Sequence, residues 1–219
     1  MENRQAEAER GAILERYHAV MEHLRGYAGA RLVAVSKLQP RERVRALFEA
    51  GHRDFGENYL QEWLAKKDEF PGAHWHFIGR VQSRKVKALS AEGIYCVHGF
   101  GSRSSLEELH KLANPLPGGA FLQLNLAGEE QKNGASLADL ETWSGEGLLR
   151  SIAGFMSLPP GHWDEGELTR HFRQMRAIKE RYHVRELSMG TSADWRLALA
   201  EGATVIRLGT AIFGERRQP

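Results

Sequence analysis

The stretch LSMGTSADWRLALAEGATVIRLGTAIFGER, residues 187–216, decides the fold. An apolar strand runs into the Gly-containing turn MGTS and then a helix. A second strand, ATVIRLG, runs into a second turn and a short helix that begins near Thr210. Both turns lead into helix N-termini, and two such termini side by side, preceded by small residues, make a site for a phosphate group.

The same rhythm fills the rest of the chain. A charged amphipathic helix over residues 6–25 comes first. Strands are then predicted at RLVAVSK (31–37), 53–56, HWHFIG (74–79), IYCVHG (94–99), AFLQLNL (120–126), SIAGFM (151–156), VRELSM (184–189) and ATVIRLG (203–209). Helical patterns separate them near 41–50, 59–66, 81–90, 104–112, 137–149, 165–181 and up to 201. Strands that alternate with helices at this spacing are parallel crossover units. Eight of them predict an α/β fold, a closed (β/α)8 TIM barrel with an extra N-terminal helix, as a single domain over residues 1–219. A doubly wound open sheet is the alternative. It normally uses fewer strands, and no Gly-x-Gly-x-x-Gly follows the first strand here. NPLPGG at 114–119 reads as a loop, and no linker or repeat beyond the βα rhythm is present.

Composition excludes several classes. Of 219 residues, 42% are hydrophobic, enough for a core, and the formal net charge of +2 gives no case for nucleic acid or membrane partners. No apolar run approaches the roughly 20 residues of a membrane span. The N-terminus is not a signal peptide. The single cysteine, Cys96, sits in an apolar run and forms no intrachain disulfide, which agrees with a reducing compartment. The expectation is a cytoplasmic protein.

Barrel chemistry sits at the C-terminal ends of strands. The first strand closes on Lys37, whose stem would begin inside the mouth. A desolvated lysine is a nucleophile toward carbonyls, whereas a strand-end lysine reaching solvent is the structural alternative. The loops MGTS and LGT follow strands seven and eight, where barrels frequently bind phosphate. Ser192 and Thr210 offer hydroxyls there, or serve as ordinary helix caps. Arg207 stands two residues before Gly209. Inward it would face the phosphate loops, and outward it would pair with a helix carboxylate. Against a pyridine nitrogen an arginine donates and disfavours ring protonation. His74 and His76 lie two apart with Cys96 nearby, but no third metal ligand appears at a recognisable spacing. The basic stretch RVQSRKVK reads as a solvated helix face.

A carbonyl-reactive lysine, a phosphate cradle and a ring-facing arginine together describe a pyridoxal 5′-phosphate site. LVAVSK (32–37), FGENYLQE (55–62), WHFIGRVQSRKVK (75–87), NLAGEEQKNG (125–134), GFMSLPP (154–160), LSMGTSADW (187–195) and EGATVIRLGTAIFGER (201–216) carry a resemblance over nearly the whole chain. By them the chain resembles the YggS/PROSC family of pyridoxal phosphate homeostasis proteins. That family is similar to the barrel domain of alanine racemase and other fold-type III enzymes. The resemblance implies Lys37 as the Schiff-base lysine. It implies Ser192, Gly209 and Thr210 at the phosphate and Arg207 at the pyridine nitrogen. Asn58, His76 and Met156 become pocket-wall or supporting positions, and Lys132 a further cofactor contact or a solvated loop residue. GFGS after strand four and Arg84 depart from the family pattern at the pocket rim.

The implied function is to hold pyridoxal 5′-phosphate on Lys37 and to buffer or deliver it, with little or no turnover. The partners would be apo forms of pyridoxal phosphate enzymes. An amino-acid racemase is the alternative, and a phosphate-sugar barrel enzyme using Lys37 a third. A racemase needs acid–base groups on both faces of its substrate. In alanine racemase a tyrosine and an extra domain serve the second face, and neither is recognisable here. Without that dimer-forming domain a monomer is expected.

Overall fold

Apolar runs such as RLVAV are continuous because strands of a parallel sheet are covered on both faces. The computed structural model describes residues 2–129 and 133–215. After α1 (Glu2–Leu24) come β1 (Arg31–Val35), α2 (Arg41–Glu49), β2 (Asp54–Glu57), α3 (Leu60–Lys66), β3 (His74–Phe77) and α4 (Ser83–Ala91). Then follow β4 (Cys96–Phe100), α5 (Arg103–His110), β5 (Ala120–Leu124), α6 (Leu137–Gly145), β6 (Gly154–Ser157) and α7 (Glu165–Arg181). The chain closes with β7 (Glu186–Ser188), α8 (Trp195–Ala200), β8 (Val205–Leu208) and α9 (Thr210–Phe213). All strand pairs are parallel, in chain order. β8 pairs back onto β1 with Val33 level with Arg207, so the sheet is a closed barrel and not an open one.

Side chains alternate across each strand. Leu32, Ala34, Phe55, Trp75, Leu122, Phe155, Leu187 and Ile206 join the large core between barrel and helices. The residues in the opposite phase, Val33, Cys96, Phe121, Met156 and Val205, form a second, smaller cluster inside the barrel. That inner space also holds polar side chains, and their placement makes the site.

Local chemistry sets the helix ends. Ser102 with Ser105, Ser136 with Asp139, and Asp164 with Glu167 form reciprocal capping boxes at the starts of α5, α6 and α7. α1 buries Ile13, Tyr17, Val20 and Leu24, a spacing of one helical face. It also reaches the far end of the chain: Arg16 Nε donates to the carbonyl of Ile212 at 2.8 Å, closing the C-terminal end of α9. Arg43 of α2 pairs with Glu9 of α1 beside it.

β4 carries an irregularity invisible in its sequence. Val97 pairs with Ala120 and Phe100 with Leu122, so β4 has one extra residue between the two pairs. Gly99 lies in this bulge, and a Cβ there would stand 1.9 Å from the carbonyl oxygen of Gly79. Only glycine fits. No described helix is long and apolar enough to cross a membrane.

Candidate functional site

At the C-terminal mouth of the barrel lies a cavity of about 360 Å³, within the range of small-molecule sites. Lys37, Asn58, Met156, Ser192, Arg207, Gly209 and Thr210 line it, with Val35, Ile78 and Leu158 as apolar walls. The structure thus brings together residues drawn from β1, β2, β6, β7 and β8 and the loops that follow them.

The backbone around Lys37 is held from behind. Ser36 is fully buried, and its Oγ donates to Glu57 Oε1 at 2.7 Å. Lys66 Nζ, from α3, donates to the same oxygen at 2.9 Å and to the Ser36 carbonyl at 3.0 Å. Burial pushes the Glu57 carboxyl above its usual pKa, while Lys66 and Ser36 pull it back. On the other side, Leu38 adopts a left-handed φ of 58°, unusual for a residue with a branched side chain. Its amide donates to Glu62 Oε2 at 2.8 Å, which holds that conformation. Lys37 therefore projects from a segment fixed at both neighbours.

The phosphate-type loops interlock. Gly190 has φ of +93°, and a Cβ there would lie 2.8 Å from the Ala198 Cβ, so the turn after β7 requires glycine. The N-cap position of α8 is Asp194, whose carboxylate accepts from the Thr191 amide. Ser192 is not a cap of that helix. Its Oγ accepts from the amides of Gly209 at 3.2 Å and Ala211 at 3.0 Å, at the start of α9. One hydroxyl oxygen thus satisfies two amides at the start of α9 and ties the loop after β7 to it.

Arg207 points into the barrel. It is 6% exposed, its Nη1 donates to Ser188 Oγ at 2.6 Å, and its Nη2 donates to the Ser157 carbonyl at 2.9 Å. Burial lowers its pKa to about 10, so it remains a cation at neutral pH. The outward pairing that sequence left open does not occur.

His76 is placed elsewhere than the pocket wall. It is fully buried beneath the cavity, with Nε2 3.0 Å from Asp54 Oδ1 and Nδ1 2.9 Å from His98 Nε2. His98 Nδ1 lies 2.8 Å from Ser188 Oγ. The third donor near His76 and Cys96 is thus His98, not His74. Their ligand atoms lie within 4.8 Å of one another. The facing nitrogens of the two rings are engaged with each other, and burial raises the Cys96 thiol pKa far above its usual value. Lys132 lies outside the described residues.

Sequence reading missed Ser188, His98, Asp54, Glu57 and Lys66. Ser188 and His98 carried a weak signal, as polar residues inside otherwise apolar strands. Lys66 carried none, because a lysine ending an amphipathic helix normally faces water.

A family model described as alanine racemase, N-terminal domain, matches residues 9–217. The pyridoxal phosphate homeostasis protein of Aquifex aeolicus is 33% identical over 219 residues, 94% of this chain and 96% of that protein. That of Pseudomonas aeruginosa is 37% identical over 198 residues, 84% of each. Among solved structures, PipY of Synechococcus elongatus with PLP bound superposes with a TM-score of 0.80 at 32% identity, covering 92% of this chain and 100% of that one. Alanine racemase from Bartonella henselae reaches 0.72 at 17% identity, over 96% of this chain and 62% of that one, a likeness of fold.

Proposed function

The chain belongs to the family of pyridoxal phosphate homeostasis proteins and carries the alanine racemase N-terminal domain, and we propose that it holds pyridoxal 5′-phosphate on Lys37 and buffers or delivers it, with little or no turnover. In this reading residues 1–219 act as one binding domain. The observation that carries it is the shared cavity: an amine, an anion-receiving pair of loops and a buried guanidinium face one space.

The donor set fits the cofactor. When bound, pyridoxal phosphate supplies an aldehyde carbon open to an amine and a ring that withdraws electrons from it. Lys37 provides the amine. The hydroxyls of Ser192 and Thr210 receive the phosphate, with the Ser192 oxygen held in place by the amides of Gly209 and Ala211. Arg207 has donors only, so it bonds an unprotonated ring nitrogen and disfavours its protonation. Asn58 and Met156 wall the space between. His76 supports from below.

Low turnover follows from what the cavity offers a proton. Racemisation needs an acid–base group on each face of the substrate. Among the described residues lining the cavity, none is a tyrosine, histidine, cysteine or carboxylate able to serve the face opposite Lys37. Arg207 further weakens the ring as an electron sink. As parts of the same proposal, the protein works as a cytoplasmic monomer, and apo forms of pyridoxal phosphate enzymes receive the cofactor.

Loading purified protein with pyridoxal 5′-phosphate should turn it yellow, and Lys37→Ala should stay colourless. A wild-type protein that takes up no cofactor overturns the binding. Racemisation of alanine at an enzyme's rate by wild type, lost in Lys37→Ala, overturns the carrier role.

A further inference from the structure

We propose that Asp54, His76, His98 and Ser188 form a one-directional hydrogen-bond relay through the barrel interior, and that this relay positions Arg207 in the mouth. The proposal deepens the pyridoxal phosphate reading, on which it rests for the partner of Arg207. Four contacts make the chain, all between 2.6 and 3.0 Å: Asp54 to His76, His76 to His98, His98 to Ser188, Ser188 to Arg207. The relay links β2, β3, β4, β7 and β8, and its inner members are buried.

Its two ends dictate the direction. Arg207 has only donors, so the Ser188 oxygen accepts from it. An ionised Asp54 has only acceptors, so His76 Nε2 carries a hydrogen toward it. A neutral His76 then presents a bare Nδ1, and His98 Nε2–H donates to it. His98 in turn presents a bare Nδ1 to the Ser188 hydroxyl. Each ring uses both nitrogens, and no donor meets a donor. Burial favours the neutral form of both rings. Burial raises the Asp54 carboxyl, but the His76 bond and neighbouring histidines outweigh it and hold it ionised.

The consequence lies at the mouth. The Ser188 hydroxyl hydrogen is committed to His98, so its lone pairs face Arg207. Nη1 is thereby anchored to Ser188 while Nη2 is anchored to the Ser157 carbonyl. A guanidinium tied at two corners keeps its remaining donors in one orientation toward the cavity. Buried polar chains of this kind are specific only when every member is satisfied. The His98 ring also stacks on Phe121 at 4.5 Å, which fixes its plane. Asp54, His76, His98 and Ser188 are positioning residues; none of them lines the cavity.

Two readouts test the relay. The first needs no cofactor. In protein labelled with 15N-histidine, both rings should appear as neutral Nε2–H tautomers. A cationic ring, or an Nδ1–H tautomer at either position, overturns the direction. The second uses holoprotein loaded with cofactor labelled with 15N at the ring nitrogen. His98→Phe keeps the stack but removes the relay, and Ser188→Ala removes the Arg207 anchor. Each should raise the titration midpoint of that nitrogen by about one pH unit, a tenfold change in proton affinity. His98→Gln, which can both accept and donate, should restore the wild-type midpoint. Asp54→Asn, at the far end where the side chain is 25% exposed, should shift it in the same direction and covers the case in which the buried variants do not fold. Wild-type midpoints in the folded variants overturn the proposal. Failure of wild type to take up the cofactor overturns the binding reading instead, and the tautomers still judge the relay.

Discussion

Ser192 Oγ accepts a hydrogen bond from the Ala211 amide at 3.0 Å, so a residue of the loop after β7 closes the N-terminus of the helix after β8. The same oxygen receives the Gly209 amide at 3.2 Å. One hydroxyl therefore ties the two loops to each other. Ser192→Ala should cost about 1 kcal/mol of stability from the lost bonds, measured by chemical denaturation. It should weaken cofactor binding by roughly tenfold, equivalent to about 1.4 kcal/mol, read by titration of the visible band. Inorganic phosphate should raise the melting temperature of wild type more than that of the variant.

The first helix of the chain reaches the same place from outside. Arg16 donates to the Ile212 carbonyl and so holds the far end of α9, a helix too short to be stable alone. Arg16→Ala should loosen α9 and lower cofactor affinity several-fold without touching the cavity. The Lys37 reaction itself should survive, visible as an unchanged colour at saturating cofactor. An affinity equal to wild type would show that α9 needs no such brace.

Lys66 and Glu57 form an ion pair that is 9% and 0% exposed at the side chain. Lys66→Met alone leaves a buried carboxylate unpaired and should cost about 3 to 5 kcal/mol. The double variant Lys66→Met with Glu57→Leu should recover most of that loss. Denaturation midpoints of the three proteins decide it. Equal losses in the single and double variants would mean that the pair does not act as a unit.

Stability should fall on mild acidification. The folded-state pKa values of His76 and His98 are both lowered, by burial first. Below about pH 6.5 the unfolded chain binds protons that these folded rings refuse, so stability drops as pH falls and levels off beneath their folded values. Each ring adds a slope of up to about 1.4 kcal/mol per pH unit. Asp54 acts further down: its depressed pKa stabilises above about pH 3.9, and that contribution is lost as pH falls through the folded value. The other charged or titratable groups acting on these three are Arg31, His52, His74 and Arg207. His98→Phe, compared with wild type from pH 7.5 to 4.5, should show the shallower slope.

Much of the architecture was legible in the sequence because it is locally encoded. The run Glu165 to Arg181 reads as a helix, and α7 has those bounds, since Asp164 and Glu167 build its start from four consecutive residues. The turns MGTS and LGT declare helix starts for the same reason. The site was legible in part. Lys37, Gly209 and Thr210 follow from strand ends, which the alternation of elements locates. Ser192, read as a phosphate contact or an ordinary cap, holds amides at the start of a helix 17 residues away in sequence, a partnership that no local pattern marks. For His76 the choice between a wall and a supporting position was not legible, because a strand residue buried on the inner face carries no mark of its height in the barrel.

The sequence by itself determined the eightfold βα order, the lysine at the end of the first strand and the pair of small-residue turns. These depend on periodicity and turn chemistry over a few residues. The tertiary structure alone decided that Arg207 faces inward, that Glu57 meets Lys66 behind Lys37, and that His98 meets Ser188 from 90 residues away. A strand buried on both faces has no polar side to announce its orientation. Only closure of β8 onto β1 fixes which residues share the interior and at what level.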